Sequence, residues 1–278
     1  MTLHITNGDS TAMTLAELGI DALAWRDALH EGPVVPGGRA LRAQAMGATE
    51  AEFEARDRVL DEHDGPLELW FEADLYDQLQ LVEILARRPD LEPITLRQVG
   101  EHVGIAHFGG LGELTSEQLA ALPTITLTSG ARDLARRAWL ALTAPEPHDL
   151  TELPDSTELR FVREAFIRLA QEHPWRRDGL ALSERRLLAA APGTRVELFR
   201  RAWRQEIRPF MGDTFAFRAL ERLAPLLDPG DDGVLRRTAL GDRVLDGKAT
   251  FITDRWVGGV HVDSRVLWRW DDARERLV

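Results

Sequence analysis

Short apolar segments alternate with longer amphipathic segments in the first half of the chain. Three apolar segments, at 3–6, 22–25 and 67–71, have the length and composition of buried strands. After the third, Leu79 and Val82 belong to a set of apolar positions with helical spacing. Strands that alternate with helices predict an α/β fold with a mainly parallel sheet of the Rossmann or flavodoxin type.

A proline-rich segment at 144–147 has the composition of a domain linker. It predicts an α/β domain with a ligand crevice over 1–147 and a mostly helical domain over 148–278. In the second domain, three short helices precede short apolar segments and an alternating pattern at 256–270. This order predicts a winged-helix-like module that ends in a β-hairpin.

The amino-acid composition excludes several kinds of site and of protein. A chain of 278 residues with 44% hydrophobic residues can build two ordinary cores. The chain has no cysteine, which excludes disulfides, thiolate metal sites and a cysteine nucleophile. We find no signal-peptide pattern and no apolar run near the roughly 18 residues that a membrane span needs. We therefore expect a cytoplasmic protein that does not contact a membrane.

The formal net charge of −12 is carried by the first half, since residues 151–278 are close to neutral. Phosphate backbones bind clustered positive charge, so nucleic acid is a candidate partner only for the C-terminal domain. Its best basic run is Arg200, Arg201, Arg204 and Arg208. A solvated helix face explains that run equally simply.

Polar residues follow each of the first three predicted strands. The first strand leads to Asn7, Gly8, Asp9 and Ser10, the second to Arg26, Asp27, His30 and Glu31, and the third to Glu72, Asp74, Tyr76, Asp77 and Gln78. The carboxyl ends of parallel strands meet at one edge of a sheet, where such folds bind ligands. We therefore expect these residues to form one ligand-binding crevice.

Arg26 and the amides at the start of the first helix are suited to a phosphate or carboxylate. Ser10 is then a nucleophile or a donor to the anion, and Glu72 is a second carboxylate at the end of a buried strand. Helix capping is the simpler explanation for Asp9 and Ser10. The helix dipole likewise explains Asp74 without a ligand.

His30 is the natural proton carrier near neutral pH, and Asp27 or Glu31 is placed to orient it. Asp27 and His30 also form the only Asp-x-x-His spacing in this region, which admits a Ser10, His30, Asp27 arrangement for nucleophilic catalysis. The alternative is an ion pair between Arg26 and one of these carboxylates that fixes the loop.

Two further histidines are candidate ligand contacts. His107 lies in a glycine-rich stretch, 104–112, that we expect to fold over the crevice. His261 lies in the predicted C-terminal hairpin, which we expect to close over the N-terminal crevice. Ordinary loop histidines bonded to backbone explain the first equally well.

The same carboxylates permit two other kinds of site. Asp9, Asp27, Glu31, Glu72 and Asp74 together could hold a hard cation such as magnesium, but no fixed spacing requires a metal. A metal-free acid/base pair uses the same residues. Recognition of a small anion is the interpretation we favour, with no cofactor assigned and a divalent metal as the alternative.

These segments resemble a bacterial family known as domain of unknown function eighteen thirty-five. The similar motifs are 4–10, 25–33 and 70–78, and the later segments 174–180, 209–213 and 254–261 resemble its usual C-terminal companion, domain of unknown function thirty-six fifty-eight. The resemblance covers nearly the whole chain and implies the two-domain split. It assigns no activity, and Ala73 stands where we expect a more polar residue in relatives.

The sequence therefore predicts an enzyme, a hydrolase or transferase, that binds a small anionic or phosphate-bearing molecule at the strand ends. Two alternatives from other classes stay open. One is a ligand-responsive regulator that contacts nucleic acid through its C-terminal domain, and the other is a protein-interaction module. Whether the protein is an enzyme at all, its substrate and its oligomeric state do not follow from the sequence.

Overall fold

The structure is a computed structural model that describes residues 1–101 and 108–278. Its centre is a five-stranded sheet with the order β2-β1-β3-β4-β5. The strands are β1 Leu3–Thr6, β2 Ala22–Ala24, β3 Leu67–Glu72, β4 Ile94–Val99 and β5 Ile125–Thr126. Strands β1 to β4 are parallel, and β5 is antiparallel to β4. The predicted mixed α/β class with a mainly parallel sheet is confirmed.

Helices cover both faces of this sheet. They are α1 Asp9–Ala16, α2 Arg39–Met46, α3 Glu50–Asp61, α4 Leu75–Arg87, α5 Ser116–Ala120 and α6 Ser129–Thr143. Alternation along β3 divides the core, because successive strand residues point to opposite faces. Leu69 and Phe71 pack in the core that includes α4 and α6, whereas Trp70 packs with Leu15 of α1 on the other face.

The strand order reverses between β1 and β3. The chain passes from β1 to β2 on one side and then returns to form β3 on the other side of β1. The connections therefore leave β1 and β3 in opposite directions and open a crevice at their carboxyl ends. Asn7 follows β1, and Glu72 is the last residue of β3, so both lie at this crevice.

The remaining elements follow α6. They are α7 Val162–Ala170, α8 Leu182–Ala189, α9 Arg195–Trp203, α10 Asp213–Arg222, β6 Leu227–Pro229, β7 Leu235–Arg237, α11 Ala239–Leu245, β8 Arg255–Val257, β9 Val260–Val262, β10 Trp270–Asp271 and β11 Arg276–Leu277. The strands pair as antiparallel β6–β7, β8–β9 and β10–β11. A hairpin is thus present at β8–β9, but it is shorter than the predicted one.

The hydrophobic core continues past the predicted linker. Phe166 of α7 and Trp270 of β10 belong to the same core as Leu69 and Phe71 of the sheet. A second core joins residues of α8, α9, α10 and α11. The division into two domains at residue 147 stays a prediction, and so does the winged-helix-like arrangement of the C-terminal elements.

Helix α10 packs against the α/β part of the chain. Arg222 pairs with Glu31 at 3.2 Å, and Arg218 donates to the Ala45 carbonyl at 3.1 Å. Arg218 and Arg222 are therefore both bonded to residues of the α/β part. Among the helices of the described residues, none is long and apolar enough to cross a membrane.

Candidate functional site

Asn7 joins β1 to the carboxylates that follow β3. Its Nδ2 donates to Glu72 Oε1 at 3.1 Å and to Asp77 Oδ1 at 2.9 Å. Its Oδ1 accepts from the Thr11 hydroxyl at 3.3 Å, which orients the amide so that its donors point toward the carboxylates. Segments about seventy residues apart in sequence thus meet at the strand ends.

The start of α4 supplies Asp74 and Asp77, which form a carboxyl cluster with Glu72. The Asp74 side chain caps α4 by accepting from the Asp77 backbone N–H at 3.0 Å. Asp77 in turn accepts from the Glu72 backbone N–H at 2.6 Å, and the Gln78 side-chain amide donates to the Glu72 carbonyl. The sequence explains Asp74 by the helix dipole, and the structure places it at the N-cap of α4. Gln78 is a buried support of the strand end.

Glu72 is buried and holds most of its contacts on one oxygen. Oε1 accepts from Asn7 and, at 2.6 Å, from the Leu111 backbone N–H, whereas Oε2 has no hydrogen-bond partner among the described residues. Gly110 lies directly against this carboxyl with φ +138°, and a Cβ there would overlap it. The glycine therefore lets the loop approach the carboxyl closely.

Burial raises the pKa of each carboxyl in this cluster. It raises the pKa of Glu72 to about 8, and the charge of Asp74 adds to the effect. Burial and the charge of Glu72 raise the pKa of Asp77 well above its ordinary value. Carboxyls this close cannot all ionise in a site with low solvation. At neutral pH the cluster therefore retains at least one proton, and Oε2 of Glu72 is the oxygen free to carry it.

A cavity of about 290 Å³ opens beside this cluster. Its lining residues are Asn7, Gly8, Asp9, Ser10, Thr11, Glu72, Tyr76, Gly109, Gly110, Gly112 and Glu113. A smaller cavity of about 30 Å³ is also lined by Glu72, together with Asp74 and Arg208. Glu72 thus contacts both a ligand-sized opening and a space of the size of a water molecule.

The rim of the larger cavity carries an exposed ion pair. Arg26 Nε donates to Asp9 Oδ1 at 2.9 Å, and the two side chains are 66% and 62% exposed. Arg26 has φ +45°, a left-handed conformation that is unfavourable for a residue other than glycine. The N-cap of α1 is Gly8, which supplies no side-chain cap. Helix capping by Ser10 is therefore not observed, and the exposed Ser10 lines the cavity instead.

His30 does not have the environment of a proton carrier. The residue is 4% exposed, and neither ring nitrogen has a hydrogen-bond partner in the part of the chain that the structure describes. It packs edge-on against Tyr76, Phe210 and Phe215, with ring centroids 6.0, 5.0 and 5.3 Å away. Burial and then the charge of Arg42 lower the pKa of His30 to about 3. At neutral pH it is an uncharged packing residue, which corrects the acid/base role expected for it.

Asp27 and Glu31 have partners other than His30. Asp27 is 1% exposed, accepts from Arg42 Nε at 2.8 Å and lies 3.4 Å from Arg56 Nη1. Glu31 pairs with Arg222 of α10. These carboxylates fix the segment after β2 and connect it to other helices. The predicted ion-pair alternative therefore applies to both, but their partners are Arg42, Arg56 and Arg222 rather than Arg26.

Two histidines farther along the chain were also candidate ligand contacts. His107 lies outside the described residues. His261 Nε2 is 2.8 Å from Asp254 Oδ1, and its ring packs against Trp256. No contact among the described residues joins His261 to Ser10 or Arg26, so the closing hairpin expected from the sequence is not observed.

Sequence reasoning missed Glu113, Arg208 and the Leu111 backbone N–H. Glu113 accepts from the Gly109 backbone N–H at 3.2 Å and lines the cavity. The glycines of this stretch were the available signal, and Gly109, Gly110 and Gly112 do lie over the crevice as expected. Among the described residues, no group of three or more histidines and carboxylates is arranged to hold a metal ion.

Comparisons with known proteins identified no relative of this chain. A scan against protein-family models, a search of curated proteins and a search of solved structures all found no match. The resemblance to the two domain families of unknown function therefore stays a prediction.

Proposed function

We propose that the protein is a hydrolase or transferase that acts on a small anionic or phosphate-bearing molecule in the cavity between β1 and β3. The observation that carries this proposal is the Glu72 carboxyl, which lines the cavity and retains a proton near neutral pH because burial raises its pKa to about 8. A protonated carboxyl in a ligand-sized cavity is suited to general acid catalysis.

The candidate anion-binding groups are at the start of α1, whose residues Asp9 and Ser10 line the cavity. Arg26 is an exposed cation that pairs with Asp9. The first amides of α1 are not capped by a side chain, and the N-terminus of a helix favours negative charge. An anion bound there competes with Asp9 for Arg26, and Ser10 supplies a further donor.

Glu72 then donates its proton to the leaving-group oxygen. The carboxylate that remains is stabilised by the Asn7 amide and the Leu111 N–H, which already contact its Oε1. Among the described residues, no histidine is hydrogen-bonded to the Ser10 side chain, and His30 is buried among aromatic rings. We therefore assign Ser10 to anion binding, and the attacking group is water in a hydrolase or the acceptor substrate in a transferase.

The test separates binding from turnover. Glutamine replaces a protonated glutamic acid with the same shape, so Glu72→Gln retains phosphate binding in isothermal titration calorimetry. It reduces turnover of the best substrate in a panel of phosphomonoesters and carboxylic esters by about a hundredfold or more. Arg26→Ala weakens phosphate binding. Glu17→Gln, at the exposed C-terminal end of α1, changes neither.

Full turnover by Glu72→Gln would eliminate Glu72 as the acid. Phosphate binding that is insensitive to Arg26→Ala would eliminate the anion site. The regulator alternative gains no specific support, because Arg218 and Arg222 of α10 contact Ala45 and Glu31. In the basic run of α9, Arg201 donates to the Ala190 and Pro192 carbonyls.

A further inference from the structure

A second cavity of about 530 Å³ lies among α3, α4, α6 and the segment that follows β2. Its volume is within the range of roughly 300 to 1,000 Å³ that is typical of small-molecule pockets. It shares no lining residue with the cavity at β1 and β3. A ligand bound here therefore leaves the proposed site free.

One wall of this second cavity is apolar. Val34, Phe53, Trp139 and Leu140 contribute to it. Leu140 is 61% exposed although it is a large aliphatic side chain. An apolar ligand that covers Leu140 and Trp139 removes this surface from water, which stabilises the complex by about 25 cal/mol for each Å² buried.

The lining also contains the arginines Arg39, Arg42 and Arg87. Asp57, which is 4% exposed, accepts from Arg56 at 2.7 and 3.0 Å and lies 3.1 Å from Arg87 and 3.3 Å from Arg39. Arg56 and Arg87 have further carboxylate partners in Asp27 and Asp61. Within the described part of the chain, Asp57 is the only ion-pair partner of Arg39, whose side chain is 37% exposed. Arg39 therefore has N–H donors available at the mouth of the cavity.

Among its described residues the lining contains two other carboxyls, Glu83 and Glu50, and neither pairs with Arg39. Burial raises the pKa of Glu83 to about 7, so this group carries only part of a negative charge at neutral pH. Glu50 lies in the first turn of α3 and is exposed, so water and salt screen its charge. The arginines at the inner side of the cavity are screened much less.

We infer that this second cavity binds a small amphipathic carboxylate. The carboxylate takes the open donors of Arg39 in the bidentate geometry that guanidinium groups favour, and the apolar chain packs along Trp139 and Leu140. The inference is independent of the proposed activity at β1 and β3.

Decanoate below its micellar concentration is the probe, and decan-1-ol is its uncharged match. Calorimetry on the full chain is expected to show decanoate binding that Arg39→Gln weakens about tenfold, a loss of about 1.4 kcal/mol. Binding of decan-1-ol is weaker and insensitive to this substitution. Leu140→Ser weakens both ligands because it removes part of the apolar wall.

Arg26→Gln is the matched control, since Arg26 is also an exposed arginine paired with one aspartate. It leaves decanoate binding unchanged, whereas Arg39→Gln leaves phosphate binding unchanged. Three results would each overturn the inference: no decanoate binding, equal binding by Arg39→Gln and the parent, or loss of decanoate binding on Arg26→Gln.

Discussion

Two groups of buried carboxylates follow neighbouring strands of the same sheet, and they differ in what compensates their charge. After β2, Asp27 contacts the guanidinium groups of Arg42 and Arg56. At the ends of β1 and β3, Glu72 and Asp77 instead accept hydrogen bonds from the neutral amide of Asn7. The first group is an ion-pair network, and the second is a carboxyl cluster that no cation of the described residues contacts directly, beside the cavity at β1 and β3.

This difference separates structural polar residues from functional ones better than burial does. A cation next to a buried carboxylate balances the desolvation penalty and fixes the chain. A carboxyl compensated only by neutral donors retains a proton instead, and a retained proton next to a cavity can be transferred. The segment after β2 has more charged residues, yet the proposed acid, Glu72, belongs to the cluster at β1 and β3.

The largest expected effect is on stability, from Asp27→Asn. The substitution removes the charge that compensates Arg42 and Arg56, which are 7% and 10% exposed. Breaking one side of a buried ion pair costs about 3 to 5 kcal/mol. Urea denaturation at pH 7 measures the loss.

Glu72→Gln is the matched substitution in the other group, and we expect it to change the free energy of unfolding by less than about 1 kcal/mol. Glutamine replaces a carboxyl that is already protonated, so no charge compensation is lost. Equal destabilisation by the two substitutions would remove the distinction between the groups.

His30, which follows β2, and Glu72, which ends β3, titrate with opposite effects on stability. The pKa of His30 is about 3 in the folded protein and 6.5 ordinarily, so the unfolded state binds more protons between these values. Stability from His30 is therefore lost as the pH falls below about 6.5, by up to about 1.4 kcal/mol per pH unit. His30→Leu reduces that slope in urea denaturation from pH 6.5 to 4.5. His173 retains part of it, because burial lowers its pKa to about 3 as well.

The pKa of Glu72 is raised, from 4.5 to about 8, so the folded state binds the additional proton. Its contribution is fully present below about pH 4.5 and is lost as the pH rises through 8. Glu72→Gln therefore removes a fall in stability that extends from about pH 4.5 to 8. Between pH 6.5 and 8 His30→Leu has no effect, so this interval reports on Glu72 alone. No change from Glu72→Gln in this interval would contradict the raised pKa of Glu72, and no change from His30→Leu between pH 4.5 and 6.5 would contradict the lowered pKa of His30.

The strands and helix start that position the site could largely be predicted from local sequence patterns. Apolar segments of strand length gave β1 and β3, and because parallel strands end at a common edge, Asn7 and Glu72 could be expected near each other. The N-cap at Asp74 could also be predicted, since an aspartate before an apolar helical pattern is typical of a helix N-terminus.

The environment of each side chain could not be predicted in the same way. The sequence places His30 beside Asp27, but Phe210 and Phe215, nearly two hundred residues later, bury its ring. Arg42 and Arg56 likewise reach Asp27 from α2 and α3. These contacts depend on how helices pack, which residue spacing within one segment does not encode.

The smallest expected effect on stability comes from Arg26→Gly at the rim of the cavity. The pair with Asp9 is exposed to solvent, and such pairs contribute about 0 to 1 kcal/mol. Arg26 has φ +45°, which glycine adopts without strain, so relief of strain offsets the lost pair. We therefore expect a change in the free energy of unfolding within about 0.5 kcal/mol in urea denaturation, together with weaker phosphate binding in calorimetry. A strained arginine that the fold does not need is consistent with selection for ligand binding, whereas a large stability loss with unchanged phosphate binding would make Arg26 a structural residue like Arg42.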